Sequence, residues 1–180
     1  GLTVVVTSST SGICTVSGTT VTLVSVGTCS LDADQSGNSN FTSATRVTQN
    51  FAITQATQAS LSISATTTSA AYSGSAYTAG PSFATTGGSG NGAVTYGVVT
   101  GGTASGCGLS TAAATATLTA TSVGTCLIAA TKASDTNYLS ATTSTPLTFT
   151  FTKANQASLV FNFGNQGSTS GYGCATTKPC

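Results

Sequence analysis

Hydrophobic and polar positions alternate over short spans along nearly the whole chain. In Leu147-Thr148-Phe149-Thr150-Phe151-Thr152 the alternation is strict, which predicts a half-buried antiparallel strand with Leu147, Phe149 and Phe151 on one face and the threonines on the other. Spans 2–7, 20–25, 28–34 and 46–54 are rich in β-branched residues and alternate almost as well, and a similar series returns at 93–100, 115–121, 125–132 and 147–152. Ser60-Leu61-Ser62-Ile63-Ser64 adds a further strand, and the cluster Gly87-Gly88-Ser89-Gly90-Asn91-Gly92 marks a turn. No span keeps a helical period for three turns. Ala112-Ala113-Ala114 is followed by a Thr-Ala-Thr-Leu-Thr-Ala pattern, which assigns that region to a strand. The chain is expected to be all-β and antiparallel.

The strand series is a repeat. Val26-Gly27-Thr28-Cys29 recurs as Val123-Gly124-Thr125-Cys126, an offset of 97, and Gln58-Ala59-Ser60-Leu61 recurs as Gln156-Ala157-Ser158-Leu159, an offset of 98. A period near 100 residues is the size of one two-sheet module, so the chain reads as a tandem array. Residues 56–153 form a complete module of about seven strands. Residues 1–55 match only the part from Ala93 onward. They lack a counterpart of residues 58–91, about 34 positions that include the first strand and the region around Tyr72, Tyr77 and Phe83. Residues 154–180 begin a third copy with Gln156-Ala157-Ser158-Leu159-Val160-Phe161-Asn162-Phe163 and do not complete it. One end lacks what the other has in surplus.

Three features place the repeat among known modules: Ser-Val-Gly-Thr-Cys in both copies, Asn40-Phe41 and Asn137-Tyr138 eleven residues after each of those cysteines, and the linker Thr152-Lys153-Ala154-Asn155-Gln156-Ala157. The chain resembles, up to about Phe163, the tandem bacterial immunoglobulin-like repeats of large secreted and cell-surface proteins. The resemblance implies tandem Ig-like antiparallel β-sandwich modules, with a partial N-terminal module and an extra C-terminal strand. It implies surface display, adhesion or stalk building, since such a fold does not determine a function.

Composition points the same way. The chain has 39 Thr and 26 Ser, whereas Asp, Glu, Lys and Arg together make 4% of it, so hydroxyls rather than charges keep its surface polar. That suits an extracellular or assembled state better than a crowded cytosol. A net charge of +1 leaves no electrostatic footprint for nucleic acid. The longest apolar runs, Val4-Val5-Val6 and Leu127-Ile128-Ala129-Ala130, are too short to span a bilayer. No leader is recognisable, and an exported chain is expected to have lost one before Gly1. Six cysteines fall in close pairs, Cys14 with Cys29, Cys107 with Cys126 and Cys174 with Cys180. The first two pairs stand at equivalent places in the two copies, which selects that connectivity from the 15 that six cysteines allow. Disulfides imply an oxidising compartment. Reduced core thiols are the other reading, and metal ligation lacks a C-x-x-C or a histidine.

Candidate chemistry is sparse. Asp32-Ala33-Asp34-Gln35-Ser36-Gly37 resembles the first half of a calcium loop, but the twelfth position is Ser43, and the second copy has Ala129 and Thr131 in place of the two aspartates. No metal is expected. Lys132, Lys153 and Lys178 raise an intramolecular isopeptide bond, which needs a buried acid, and Asp135 is the one acid in the complete module. The chain has no His, Met, Trp or Glu, and Asp32 and Asp34, two apart on a strand, share a face at its exposed end. No catalytic residues and no cofactor are therefore expected. Asn40-Phe41-Thr42 is a glycosylation sequon, and the surface threonines are possible O-glycan sites. Tyr72, Tyr77 and Tyr96 would suit either a sugar-stacking face or core packing.

Taken together, these features lead to an expected function: a structural subunit of an extracellular filament in which the C-terminal strand of one chain completes the N-terminal module of an identical neighbour. Ala157, Leu159, Phe161 and Phe163 would be the side chains that enter the acceptor. The tail from Gln156 offers 25 residues against the deficit of about 34. The alternatives are a fragment of a long adhesin or stalk and a soluble carbohydrate-binding module.

Overall fold

The computed structural model describes residues 1–71 and 80–156, and these are all-β, with no helix among them. The N-terminal part has five strands, β1 (Val5–Ser8), β2 (Cys14–Ser17), β3 (Thr20–Leu23), β4 (Gly27–Asp34) and β5 (Val47–Ile53). Strand β4 is central to an antiparallel sheet ordered β1-β4-β5, and β2 and β3 form a separate hairpin. The C-terminal part carries β6 (Leu61–Ala65), β7 (Ser69–Ala71), β8 (Phe83–Gly87), β9 (Val94–Val99), β10 (Gly108–Leu109), β11 (Leu118–Thr119), β12 (Gly124–Lys132), β13 (Ala141–Thr142) and β14 (Leu147–Thr152). The long β12 pairs with β9 along one edge, and along the other with β14 and then β13; β7 adds to β14 in parallel. Strands β6 and β8 make a two-stranded antiparallel ribbon, and β10 and β11 a short hairpin.

The strict alternation of 147–152 produces the core. Phe149 and Phe151 are buried, with ring centroids 5.2 Å apart, while Leu147 on the same face is half-buried. Cys126, Ile128 and Ala130 from β12, Tyr96 from β9, Phe83 from β8 and Leu118 from β11 join them, with Ile63 and Ala65 of β6 packed against the cluster. The β6–β8 ribbon thus closes the apolar face of the five-stranded sheet, as a one-face-buried antiparallel sheet requires. Phe83 and Tyr96 stack at 5.2 Å, and Thr85 donates to the Tyr96 hydroxyl at 3.0 Å. Tyr96 is therefore a core residue and cannot belong to an exposed sugar-stacking face. Tyr72 and Tyr77 lie outside the described residues.

Two disulfides fasten the hairpins to the sheets: Cys14 to Cys29 and Cys107 to Cys126, with Cα–Cα separations of 5.6 and 5.8 Å. Closing loops of 15 and 19 residues stabilises each part by about 3 kcal/mol through the unfolded chain. Cys174 and Cys180 lie outside the described residues.

Several strands differ from expectation. The strand expected over 115–121 contracts to β11, because the backbone turns at Ala116 N–H to Ala113 O and Ser110 captures the Thr117 N–H through its hydroxyl. The alanines 112–114 are irregular. Their carbonyls nevertheless serve the sheet, Ala112 O accepting from Tyr96 N–H and Ala114 O from Phe83 N–H. Hydroxyl competition for backbone groups explains the irregularity. Strand β1 begins at Val5 rather than residue 2, and the short β2 has too little alternating sequence to have been read in advance.

Phe149 belongs to the buried cluster that the ribbon closes and stands opposite Cys126 of the disulfide-bearing strand, so Phe149→Ala should cost about 3–5 kcal/mol. Urea denaturation of the unassembled chain, followed by tyrosine fluorescence, would measure it; a loss under 1 kcal/mol would mean that this core does not control the C-terminal part.

Candidate subunit interface

The two main sheets share a register. Cys29 faces Phe51 across β4–β5 as Cys126 faces Phe149 across β12–β14, and Gly27 faces Ile53 as Gly124 faces Phe151. On the other edge Ala33 faces Val6 as Ala130 faces Tyr96. Directly opposed residues lie on one face of a sheet, so Val6, Leu31, Ala33, Val47, Phe51 and Ile53, with the uncharged polar Ser8 and Gln49 opposite Leu31, form the counterpart of the buried C-terminal face. Their environment is different. Phe149 is fully buried and Tyr96 is 8% exposed, whereas Phe51 is 38% and Val6 40% exposed. Among the described residues no ribbon equivalent to β6–β8 covers the N-terminal face.

The edge is open as well. In the C-terminal sheet the outer edge of β14 takes β7, pairing Thr150, Phe151 and Thr152 with Ser69, Ala70 and Ala71. Among the described residues β5 has no strand beyond it, and every β5 residue except Ile53 is exposed. An apolar face beside an unpaired edge is a template for a further strand.

Charge is kept off this face. Asp32 and Asp34 lie on the opposite side of β4, where Arg46 Nε donates to Asp34 Oδ1 at 2.9 Å, Arg46 Nη1 reaches Asp32 Oδ2 at 3.4 Å and Thr48 Oγ1 donates to Asp32 Oδ1 at 2.6 Å. The bond to Asp34, followed by the charges of Asp34 and Asp32, makes the Arg46 guanidinium more basic than usual. The two aspartates share a face as expected, but Asp32 is buried rather than at an exposed end, because the Arg46 and Thr48 side chains close over it. Its carboxylate is thus committed to a guanidinium and a hydroxyl. No group of three metal-ligating side chains occurs among the described residues.

The junction between the two parts is a second contact surface. Asn137 Oδ1 accepts from Ser25 Oγ at 3.1 Å and from Val26 N–H at 3.0 Å. Ala56 N–H donates to Asn137 O and Leu139 N–H to Ala56 O, both at 2.9 Å. Gln55 Nε2 donates to Asp135 O at 2.6 Å, and Gln58 Nε2 to Leu139 O at 2.8 Å. The receiving loop is shaped by Asp135, whose Oδ1 accepts from the N–H groups of Asn137 and Tyr138, both at 2.9 Å, and whose Oδ2 accepts from Asn91 N–H at 2.6 Å. Gly90 is required beside it, since a Cβ there would collide with Oδ2. Asp135 is half-buried and its carboxylate is occupied by backbone donors, unlike the free, buried proton shuttle that an isopeptide bond to Lys132 needs.

The cysteines expected at Cys14, Cys29, Cys107 and Cys126 are bonded, whereas Ala157, Leu159, Phe161 and Phe163 lie outside the described residues. Sequence reading did not single out the exposed face residues Val6, Val47 and Phe51, or the polar grip of Asn137 and Gln58. The Asn-Phe and Asn-Tyr pairs carried the signal for the latter. No protein family, curated protein or solved structure matches this chain.

The Asn91 N–H, then that of Asn137, hold the Asp135 carboxyl below its ordinary range, against the opposing effect of burial. A depressed folded value favours the folded state whenever the carboxyl is charged, so this contribution is complete above the unfolded value of about 4 and disappears as pH falls through the lower folded value. Asn38 builds the same turn without a charge in the N-terminal part, so Asp135→Asn should fold. Its melting temperature should fall less steeply below pH 4 than that of the parent chain; parallel profiles would remove Asp135 from the acid response.

Proposed function

We propose that this protein is a structural subunit of an extracellular filament built from immunoglobulin-like β-sandwich modules, polymerising head to tail by strand donation. The N-terminal sheet repeats the register of a covered sheet while, among the described residues, its own face and edge are bare, and the tail's sequence repeats the lead into the covering strand. That observation carries the reading. Leu61, which opens β6, corresponds to Leu159 at the offset of 98, Ile63 to Phe161 and Ala65 to Phe163. The counterpart of β7 falls at residues 167–169 on the same offset. The tail therefore spans the positions of both elements that, in the C-terminal module, cover the face and pair with the edge of β14.

Backbone pairing along β5 would supply affinity, and the alternate apolar side chains Leu159, Phe161 and Phe163 would enter the groove between Val6, Phe51 and Leu31. Because donor and acceptor are different surfaces, the contact is heterologous and grows an open polymer. The uncharged groove suits an uncharged donor, as residues 156–163 contain no charged side chain. Disulfides at Cys14–Cys29 and Cys107–Cys126 support an oxidising, extracellular setting. No helix among the described residues is long and apolar enough to cross a membrane.

The full chain should form filaments visible by negative-stain electron microscopy. A chain ending at residue 155 should stay unassembled and bind a peptide spanning residues 154–171 at one per chain, and Phe161→Asp in the full chain should abolish filaments. Filaments from the shortened chain would sink strand donation. A monomeric full chain whose tail covers its own N-terminal sheet would sink polymerisation, and an N-terminal extension that satisfies the sheet in cis would favour the stalk-fragment alternative.

A further inference from the structure

The loop that receives the N-terminal part in the C-terminal module exists twice. Asn38 Oδ1 accepts from Asn40 N–H at 2.8 Å and from Phe41 N–H at 3.0 Å, and Asn38 N–H donates to Phe41 O at 2.8 Å. Asp135 makes the same three bonds with Asn137 and Tyr138 at the offset of 97. One copy is engaged and the other is not. Tyr138 is half-buried and shares a small depression of about 240 Å³ with Leu23, Val24, Val26, Ile53 and Ala56 of the N-terminal part, whereas Phe41 is 67% exposed and borders an open depression of about 710 Å³.

The docking partner exists twice as well. Ser25-Val26-Gly27-Thr28-Cys29, whose first two residues grip Asn137, is identical to Ser122-Val123-Gly124-Thr125-Cys126. The linker residues Ala56 and Gln58, which complete the grip, recur as Ala154 and Gln156, and Gln55 is replaced by Lys153, another donor. Val123 is exposed.

We propose that Ser122, Val123 and the linker 153–156 of one chain dock on the loop 38–42 of a second copy, repeating between chains the junction that joins residues 25–58 to residues 133–139 within one. Val123 N–H and the Ser122 hydroxyl donate to Asn40 Oδ1, Ala154 N–H donates to Asn40 O, and Thr42 N–H donates to Ala154 O. The Ser122 hydroxyl, which donates to Val123 O at 3.2 Å in the unassembled chain, changes acceptor. Phe41 takes the place of Tyr138, against the exposed Val123 of the neighbour. This deepens the strand-donation reading and rests on it, since the linker that docks is the one that leads the donor strand. It sets the rotation of each subunit on the next, because a hydrogen-bonded corner and a strand entering a groove fix two separate points. Asn40, engaged in this way, carries no glycan in assembled chains despite its sequon.

Residue-resolved hydrogen exchange on filaments and on the unassembled full chain tests this. Assembly should slow exchange at Val123 and Thr42 by roughly a hundredfold, while Val26 and Leu139, already bonded within the chain, stay unchanged. Asn40→Ala, which leaves the Asn38 turn intact, should return Val123 to its fast rate and raise the critical concentration about thirtyfold for two lost hydrogen bonds. Protection along the open edge of β5 with none at Val123 would overturn the docking and leave strand donation standing. Assembled filaments with protection at neither place would overturn both, and Asn40→Ala filaments indistinguishable from the parent would overturn the docking alone.

Discussion

An antiparallel sheet with one apolar face is stable in water only when that face is covered, and the two sheets of this chain meet the constraint differently. The β6–β8 ribbon closes one with Phe83, Ile63 and Ala65 over Phe149 and Phe151. The other has the same strand register and the same disulfide position, so its backbone pairing and its staple are independent of a cover, and Phe51 and Val6 are left facing outward. Pairing and covering are thus separable in this architecture. An assembly by strand donation needs that separation, since the acceptor must be formed before the donor arrives.

The polar side chains are distributed to keep the two surfaces distinct. Arg46 holds Asp32 and Asp34 on the far side of β4, which leaves the bare face free of charge that a donor would have to desolvate. The junction is polar instead, built from amide side chains and backbone groups around Asn137. Such bonds give orientation more than affinity, each contributing about 1 kcal/mol net. In the proposed fibre the apolar face would supply affinity and the polar corner alignment.

Much of this was legible in advance. Alternation located β4, β5, β9, β12 and β14 because each keeps one face buried or ready for burial, and the repeat located both disulfides. The irregular stretch at 112–117 was misread because threonine-rich sequence has strand propensity while its hydroxyls and those of serine compete for the backbone, as Ser110 does with Thr117. Asp32 was misplaced because burial of a carboxylate depends on a partner 14 residues away, Arg46, which no local pattern displays. The acceptor face was implied by the missing strands, but its lining needed the register. The offset of 98 sets Phe51 against Phe149, but only cross-strand pairing shows that Val6 stands where Tyr96 stands.

Why the N-terminal sheet holds together uncovered is a question of magnitude. Among the described residues the N-terminal sheet has three strands and a bare apolar face, so it buries little on its own. Burying one large apolar side chain contributes about 1.5–3 kcal/mol, and Phe51, Val6 and Val47 forgo much of that. The Cys14–Cys29 disulfide offsets about 3 kcal/mol, roughly one such side chain, and the junction bonds to Asn137, Asp135 and Leu139 tether the sheet to a stable neighbour. These two effects compensate for part of the deficit and not all of it. In the proposed assembly a donor that covers the face would recover what the disulfide does not supply, and the bare face would then add to the strength of the subunit contact.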